Sequence, residues 1–398
     1  MSLNNTPMAD RTHIGIFGRR NAGKSSIINA VTGQDLAIVS DTKGTTTDPV
    51  LKAMEILPLG PVVLIDTPGL DDEGELGKLR IEKAYQILNK TDLALLVIDS
   101  SKGMTEEDYK ILERIKEKQI PYLIVMNKCD LARSRDLTGE EKEHTIYVSA
   151  STKENIYELK EMIAKIVPSQ ESSIPIVKDL LKENDLVILV VPIDASAPKG
   201  RLILPQQQTI RDILDAGACS LVVKDTELKN AMESIGKKPS LVITDSQAFS
   251  KVPKDVPDDI LLTSFSILFA RHKGDLETVA KGAQYIDHLK DGDTVLISEG
   301  CTHHRQCEDI GTVKLPGWLL NYTKKELHFE FTSGGEFPFD LSKYSMIIHC
   351  GGCTLNEREM KYRLRCAQDQ NVPITNYGTA IAQIHGILKR SLEPFHIN

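Results

Sequence analysis

The chain has 398 residues, with 48 basic against 56 acidic side chains and a net charge of −8. Domains usually run to about 100–200 residues, so one compact core is excluded and two or three domains are expected, while the acidic balance argues against a nucleic-acid backbone as the main partner. Hydrophobic content of 41% and charged content of 26% exclude wholesale disorder, and no apolar run reaches the ~18 residues of a membrane helix.

Strand-length apolar runs alternate with helical patterns nearly from end to end. That rhythm is α/β with mainly parallel sheets. In a first block, 8–168, the pattern predicts strands at Thr12–Phe17, Val62–Ile65, Leu93–Ile98, Tyr122–Met126 and His144–Val148, then a helix at Ile156–Ile166. Pro168–Pro175 is rich in Ser and Pro and reads as a linker. In a second block, 176–265, strands are expected at Leu186–Val191, Ser220–Val223, Leu241–Thr244 and Ile260–Thr263, with helices at Gln206–Ala216 and Thr226–Ile235. This block is small for an independent domain, so a partner copy is expected to complete its core. In a third block, 266–398, strands are expected at Thr294–Ser298, Leu327–Phe331, Ser345–His349 and Pro373–Thr375. Helices are expected there at Leu276–Leu289, Asn356–Gln370 and Thr379–Leu388. Gly334-Gly335-Glu336-Phe337 mimics a cyclase signature without its further acidic residue and reads as a turn. The N-terminus lacks the basic-then-apolar pattern of a signal segment, so a cytoplasmic protein without membrane contact is expected.

Gly18-Arg-Arg-Asn21-Ala22-Gly23-Lys24-Ser25-Ser26 follows a strand and opens a helix. This is the phosphate-binding loop in its required setting. The glycines let backbone N–H groups close on phosphate oxygens, Lys24 reaches the β/γ-phosphates, and Ser25 ligates Mg²⁺. Asp66-Thr67-Pro68-Gly69 ends a second strand, where Asp66 suits Mg²⁺ and the Gly69 N–H suits the γ-phosphate. Asn127-Lys128-Cys129-Asp130 ends a third; its last carboxylate can accept the N1 and N2 donors of guanine, which adenine does not offer. Ser149-Ala150 follows, where a backbone N–H can meet the guanine O6. The order resembles the G1, G3, G4 and G5 elements of the GTPase superfamily.

Gly44-Thr45-Thr46-Thr47-Asp48 resembles the G2 element of GTPases related to Era and TrmE. That resemblance implies Thr46 as a further Mg²⁺ ligand, with Thr45 beside it. Leu70 stands where Ras-type enzymes carry a water-orienting Gln, so slow intrinsic hydrolysis is expected. Asn21 matches the position that helps the TrmE-like group hold K⁺ near the phosphates. Asp71–Glu75 reads as a solvated switch loop.

The seven cysteines are an odd count, which points to thiols or metal ligands rather than a disulfide framework. Cys301-Thr-His303 and His349-Cys350-Gly-Gly-Cys353 each sit at or beyond a predicted strand end. Structural zinc, an iron–sulfur cluster and plain buried thiols are all open readings of this set. Cys129, Cys219, Cys307 and Cys366 lie outside it; Cys307 is near enough to Cys301 to be an alternative ligand but reads mainly as structural, as do Cys129 and Cys366.

C-x-H…H-C-x-x-C behind a GTPase domain resembles the [FeFe]-hydrogenase maturation GTPases, the HydF family. Asp194-Ala-Ser-Ala-Pro-Lys-Gly-Arg-Leu-Ile-Leu-Pro-Gln206 and Gln208-Thr-Ile-Arg-Asp212 resemble that family's dimerisation segment. The resemblance implies a P-loop GTPase domain (8–168), a dimerisation domain (176–265) and a cluster-binding domain (266–398). It implies a [4Fe–4S] cluster on Cys301, Cys350 and Cys353, with His303 and His349 as candidate ligands. It also implies a homodimeric scaffold that binds GTP or GDP. Such a scaffold takes a transient diiron subcluster from radical-SAM maturation enzymes and delivers it to apo-[FeFe]-hydrogenase. The competing reading is an Era/TrmE-type RNA- or ribosome-associated GTPase with a zinc-stabilised C-terminal domain.

Overall fold

The computed structural model describes residues 6–33, 50–56, 59–67, 86–132, 140–167, 174–193, 202–300, 309–334, 337–338, 340–352 and 354–397. The chain divides into two compact units, Met1–Glu171 and Ser172–Asn398.

The first unit holds β1 (Thr12–Phe17), α1 (Lys24–Thr32), β2 (Val50–Ile56), β3 (Gly60–Asp66), β4 (Leu93–Asp99), α2 (Glu106–Glu117), β5 (Tyr122–Asn127), β6 (Thr145–Tyr147) and α3 (Ile156–Ile166). The strands form one sheet in the order β2-β3-β1-β4-β5-β6. Among the described strand pairings of this sheet, β2–β3 alone is antiparallel. Every residue of β1 and β4 is buried, so these read as continuous apolar runs, as strands covered on both faces must. Their side chains still alternate. Ile14, Ile16, Leu93, Leu95 and Val97 pack with Ile27 of α1 and Leu159 of α3. Phe17, Ala94, Leu96 and Ile98 pack with Ile111 and Ile115 of α2 on the other face. A Thr105/Asp108 capping box starts α2, with Thr105 N–H donating to Asp108 Oδ2 at 3.0 Å.

The second unit carries two parallel sheets of four strands. The first is β7 (Leu186–Val190), β8 (Cys219–Val223), β9 (Leu241–Thr244) and β10 (Leu261–Ser264), in the order β10-β9-β7-β8, with α4 (Leu204–Asp215) and α5 (Leu228–Ser234). The second is β11 (Thr294–Ser298), β12 (His328–Thr332), β13 (Met346–His349) and β14 (Ile374–Asn376), in the order β12-β11-β13-β14. Its helices are α7 (Leu276–Gln284), α8 (Leu315–Thr323), α9 (Glu357–Asp369) and α10 (Tyr377–Ile384). Between them runs α6 (Phe265–Lys273), capped by the Ser264 side chain. Phe265, Leu268 and Phe269 enter the core of the first sheet. Ile267 and Ala270 of the same helix enter the core of the second.

Several elements depart from the sequence expectations. β2 is an added edge strand whose outer residues are exposed, so its apolar pattern is weak. The expected helix Leu276–Leu289 ends at Gln284 and tightens into a 3₁₀ turn at Tyr285–His288. The expected helix Thr379–Leu388 ends at Ile384, and a separate short helix follows at Leu388–Leu392. Gly386 breaks it with φ 70°. The linker expected at Pro168–Pro175 lies mostly outside the described residues.

Candidate functional site

The C-terminal ends of β1, β3, β5 and β6 bring the described residues expected to bind nucleotide to one edge of the first unit's sheet, where ligands of open α/β sheets bind. After β1 the chain turns through Gly18 at φ 141° and Gly23 at φ 95°. A Cβ on Gly18 would fall 2.2 Å from the Val97 carbonyl oxygen, and one on Gly23 would fall 2.2 Å from Asn127 Nδ2. Both positions therefore demand glycine. Gly23 is the N-cap of α1, so the N–H groups of the first helical turn face the loop and suit an anion. Ser25 and Ser26 lie in that turn. Lys24 is buried, and its ammonium donates to the carbonyls of Gly18 at 2.9 Å and Arg19 at 3.0 Å.

Ser25 Oγ donates to Asp66 Oδ2 at 3.1 Å. Burial pushes the Asp66 carboxyl above its ordinary range, against the Lys24 charge and the Ser25 bond. A hydroxyl facing a carboxylate is a hard-oxygen pair that fits Mg²⁺. Thr45, Thr46 and Gly69, expected to complete the phosphate and Mg²⁺ contacts, lie outside the described residues, as do Leu70 and Asp71–Glu75.

Asn127, nearly fully buried, joins three loops. Its Nδ2 donates to the Ala22 carbonyl at 3.0 Å, and its Oδ1 accepts the Ala150 N–H at 3.1 Å. Lys128, at φ 64°, donates to the Asn21 carbonyl at 2.8 Å and to Asp99 Oδ2 at 2.7 Å. Burial would raise the Asp99 carboxyl, but the bonds from Lys128 and Ser101 outweigh it and hold it low. Asp130 is exposed, and a bond from Ser149 keeps its carboxyl below the usual range. Ser149 Oγ lies 2.9 Å from Ser151 Oγ and accepts the Thr152 N–H at 3.2 Å. Sequence reasoning missed Asp99, and also Asp108, whose Oδ2 lies 3.1 Å from Arg19 Nε. An acid many residues from the loop carries no motif signal.

In the second unit, β11 and β13 pair in parallel with Ser298 opposite His349. The two halves of the cysteine–histidine pattern therefore leave neighbouring strand ends. Cys350 N–H donates to the Ser298 carbonyl at 2.9 Å. The Cys350 sulfur accepts the Gly300 N–H at 3.0 Å and the Gly352 N–H at 3.4 Å. Backbone N–H groups aimed at one sulfur are contacts of the kind a metal-ligating cysteine accepts. A small cavity of about 20 Å³ borders Cys350, Gly351, Met360, Thr375 and Asn376.

His349 is buried, and its Nδ1 lies 2.6 Å from the Cys350 carbonyl oxygen. Its Nε2 lies 2.9 Å from Arg363 Nη1. Burial, with the Arg363 charge behind it, pushes the imidazole down to about 3. Arg363, fully buried, was not singled out in the sequence, where it reads as one more charge on a helix. Cys301, His303, Cys307 and Cys353 lie outside the described residues. Among the described residues no group of three or more His, Cys, Asp or Glu gathers in a metal-holding arrangement.

Comparison with known proteins adds the following. A family model described as a 50S ribosome-binding GTPase matches residues 13–128. The hydrogen maturase F dimerization domain matches 176–274, and the hydrogen maturase F tetramerization domain matches 277–394. The tRNA modification GTPase MnmE of Aquifex aeolicus is 39% identical over 155 residues, which is 39% of this chain and 34% of that protein. MnmE of Chromobacterium violaceum is 38% identical over 157 residues, again 39% and 34%. The chain thus spans about a third of the length of these curated relatives. Among solved structures, Aquifex aeolicus Era bound to GDP and AlF₄⁻ aligns with 22% identity and a TM-score of 0.36, covering 53% of this chain and 92% of that one. The MnmE similarity covers about two fifths of the chain, the two maturase domains match 176–274 and 277–394, and the chain belongs to the hydrogen maturase F (HydF) family.

Proposed function

We propose that this chain is a GTP-driven scaffold for hydrogenase maturation. Its N-terminal domain binds Mg²⁺–GTP, and its C-terminal domain holds a [4Fe–4S] cluster on Cys301, Cys350 and Cys353. The cargo is a diiron precursor received from radical-SAM maturation enzymes and passed to apo-[FeFe]-hydrogenase.

In the N-terminal domain Ser25, Thr46 and Asp66 would hold Mg²⁺, which supplies charge to the β- and γ-phosphates. Lys24 is already aimed into the loop it shares with the phosphates. Asn21, whose carbonyl accepts from Lys128, would help hold K⁺ in place of an arginine finger. Thr45–Asp48 and Asp66–Glu75 would order with GTP and relax after hydrolysis, gating partner exchange.

The observation that carries the cluster reading is the Cys350 sulfur under the Gly300 and Gly352 N–H groups. Gly300 is the residue before Cys301, and that bond ties it to Cys350, which supports reading the two halves of the C-x-H…H-C-x-x-C pattern as one site. Three cysteine ligands leave one iron free for an exchangeable ligand, as a carrier requires.

The test is anaerobic reconstitution with iron and sulfide, read by absorption and EPR. Cys301→Ser, Cys350→Ser and Cys353→Ser are each expected to lose the cluster signal and keep GTP hydrolysis, with hydrolysis faster in KCl than in NaCl. Stoichiometric zinc with no cluster uptake would sink the scaffold, and equal rates in the two salts would sink the K⁺ role.

A further inference from the structure

Arg363 is wholly buried, at 0% exposure, although its guanidinium cannot lose its charge. Its Nε lies 2.9 Å from Glu359 Oε1. Nη1 donates to Ser298 Oγ at 3.2 Å and to His349 Nε2 at 2.9 Å, while Nη2 donates to the Gly334 carbonyl at 2.8 Å. The guanidinium carbon lies 5.2 Å from the centre of the Phe337 ring. From α9, one side chain thus reaches the ends of β11 and β13 and the turn beyond β12.

Stability alone does not account for this arrangement. A buried ion pair is often no better for a fold than an apolar group of the same volume. Its value is geometric, since the planar fork fixes several partners at once. An arginine only donates, so His349 Nε2 must be the acceptor. The ring proton then sits on Nδ1 and is given to the Cys350 carbonyl oxygen, 2.6 Å away. The chain of contacts runs Glu359, Arg363, His349, Cys350. The same cysteine presents its sulfur to the Gly300 and Gly352 N–H groups.

We propose that Arg363 is a positioning residue of the cysteine site, which acts through His349 to hold the Cys350 peptide and keeps both His349 ring nitrogens engaged within the protein, away from iron. This rests on the cluster reading above. It assigns His349 to orientation of a ligand's backbone, the kind of outer contact that tunes metal sites.

The experiment uses the full chain, reconstituted anaerobically with iron and sulfide. Arg363→Met is expected to weaken iron binding on the order of 10–100-fold and to shift the EPR g-values. Arg363→Lys keeps the charge but not the fork, and should fall between. His349→Asn retains an amide donor toward the Cys350 carbonyl but loses the acceptor for Arg363, and should weaken iron binding as Arg363→Met does, with no nitrogen coupling lost from the EPR signal. Circular dichroism and Trp318 fluorescence check folding. If Arg363→Met unfolds, the paired Glu359→Leu/Arg363→Met chain, which leaves no lone buried charge, is read instead. In the metal-free protein, ¹⁵N shifts should show His349 protonated at Nδ1. Unchanged iron affinity and spectrum in Arg363→Met, or an Nε2–H tautomer, overturns this inference alone. Nitrogen coupling in the wild-type EPR signal that His349→Asn removes would make His349 a ligand and overturn it too. A wild-type chain that takes up no cluster overturns the cluster reading and this role together.

Discussion

Asn127 shows how one buried amide can organise a binding site before any ligand arrives. Its two polar ends hold the phosphate loop at Ala22 and the base loop at Ala150. Gly23 has no Cβ where that amide packs, so the glycine and the asparagine are a matched pair. Truncation to Asn127→Ala would leave the Ala22 carbonyl and the Ala150 N–H without this partner in a buried place. Each such loss costs about 1–3 kcal/mol. The expected outcome is a roughly 10–100-fold rise in the Kd for GDP, measured by titration calorimetry, with iron uptake at the Cys350 site untouched. An unchanged Kd would show that the loops are held by other means.

At the scale of elements, β1 carries a cost inside the sheet. His13 is buried in it, with its N–H donating to Asp92 Oδ2 at 2.8 Å and its Nδ1 2.8 Å from the Arg11 carbonyl oxygen. Burial, together with the Lys90 charge and against the Arg11 bond, pushes this imidazole down to about 4 from 6.5. The folded chain therefore refuses a proton that the unfolded chain accepts. The associated stability is fully present above pH 6.5 and is lost as pH falls toward 4. Between pH 7 and pH 5 the loss amounts to about 2 kcal/mol. His13→Gln should remove that part of the acid sensitivity. Hydrogen exchange of the β1 and β4 amides at both pH values reads it, and an equally steep pH response in the variant would refute it.

The central strands were legible because burial on both faces leaves an unbroken apolar run. Thr12–Phe17, Leu241–Thr244 and Thr294–Ser298 were read with the bounds the structure has. β2 was not legible, because an edge strand with one face in water shows only Ile56 as buried. Nor was α6, since a helix that packs Phe265 toward one core and Ile267 toward another shows no single apolar stripe. α8 was hidden by Pro316 and Gly317, yet proline is tolerated in a first helical turn, and Pro316 sits there. The nucleotide loops were legible as local strings, whereas Arg363 and Asp99 act on partners far along the chain.

At the scale of the molecule, the second unit cannot be cut cleanly between its two sheets. α6 belongs to both cores, and the Thr263 hydroxyl donates to the Ser391 carbonyl at 3.0 Å across 128 positions of sequence. The matched domains divide at 274–277, immediately after α6. A unit built this way favours assembly through its outer faces. In the region matched by the tetramerization domain, Val313 is 50% exposed and Leu320 40%, seven residues apart on the segment that enters and forms α8. Gly317 lies between them, and a Cβ there would meet nothing. Two apolar side chains beside a bare backbone make a surface on which a second copy can approach closely. The double variant Val313→Asp/Leu320→Asp puts two carboxylates on that surface, where like charges would face each other across a symmetric contact. Light scattering should then give a smaller assembly than that of the unaltered chain, with Trp318 fluorescence and the far-ultraviolet dichroism unchanged. A double variant that keeps the mass of the unaltered assembly would move the contact to another face of this domain.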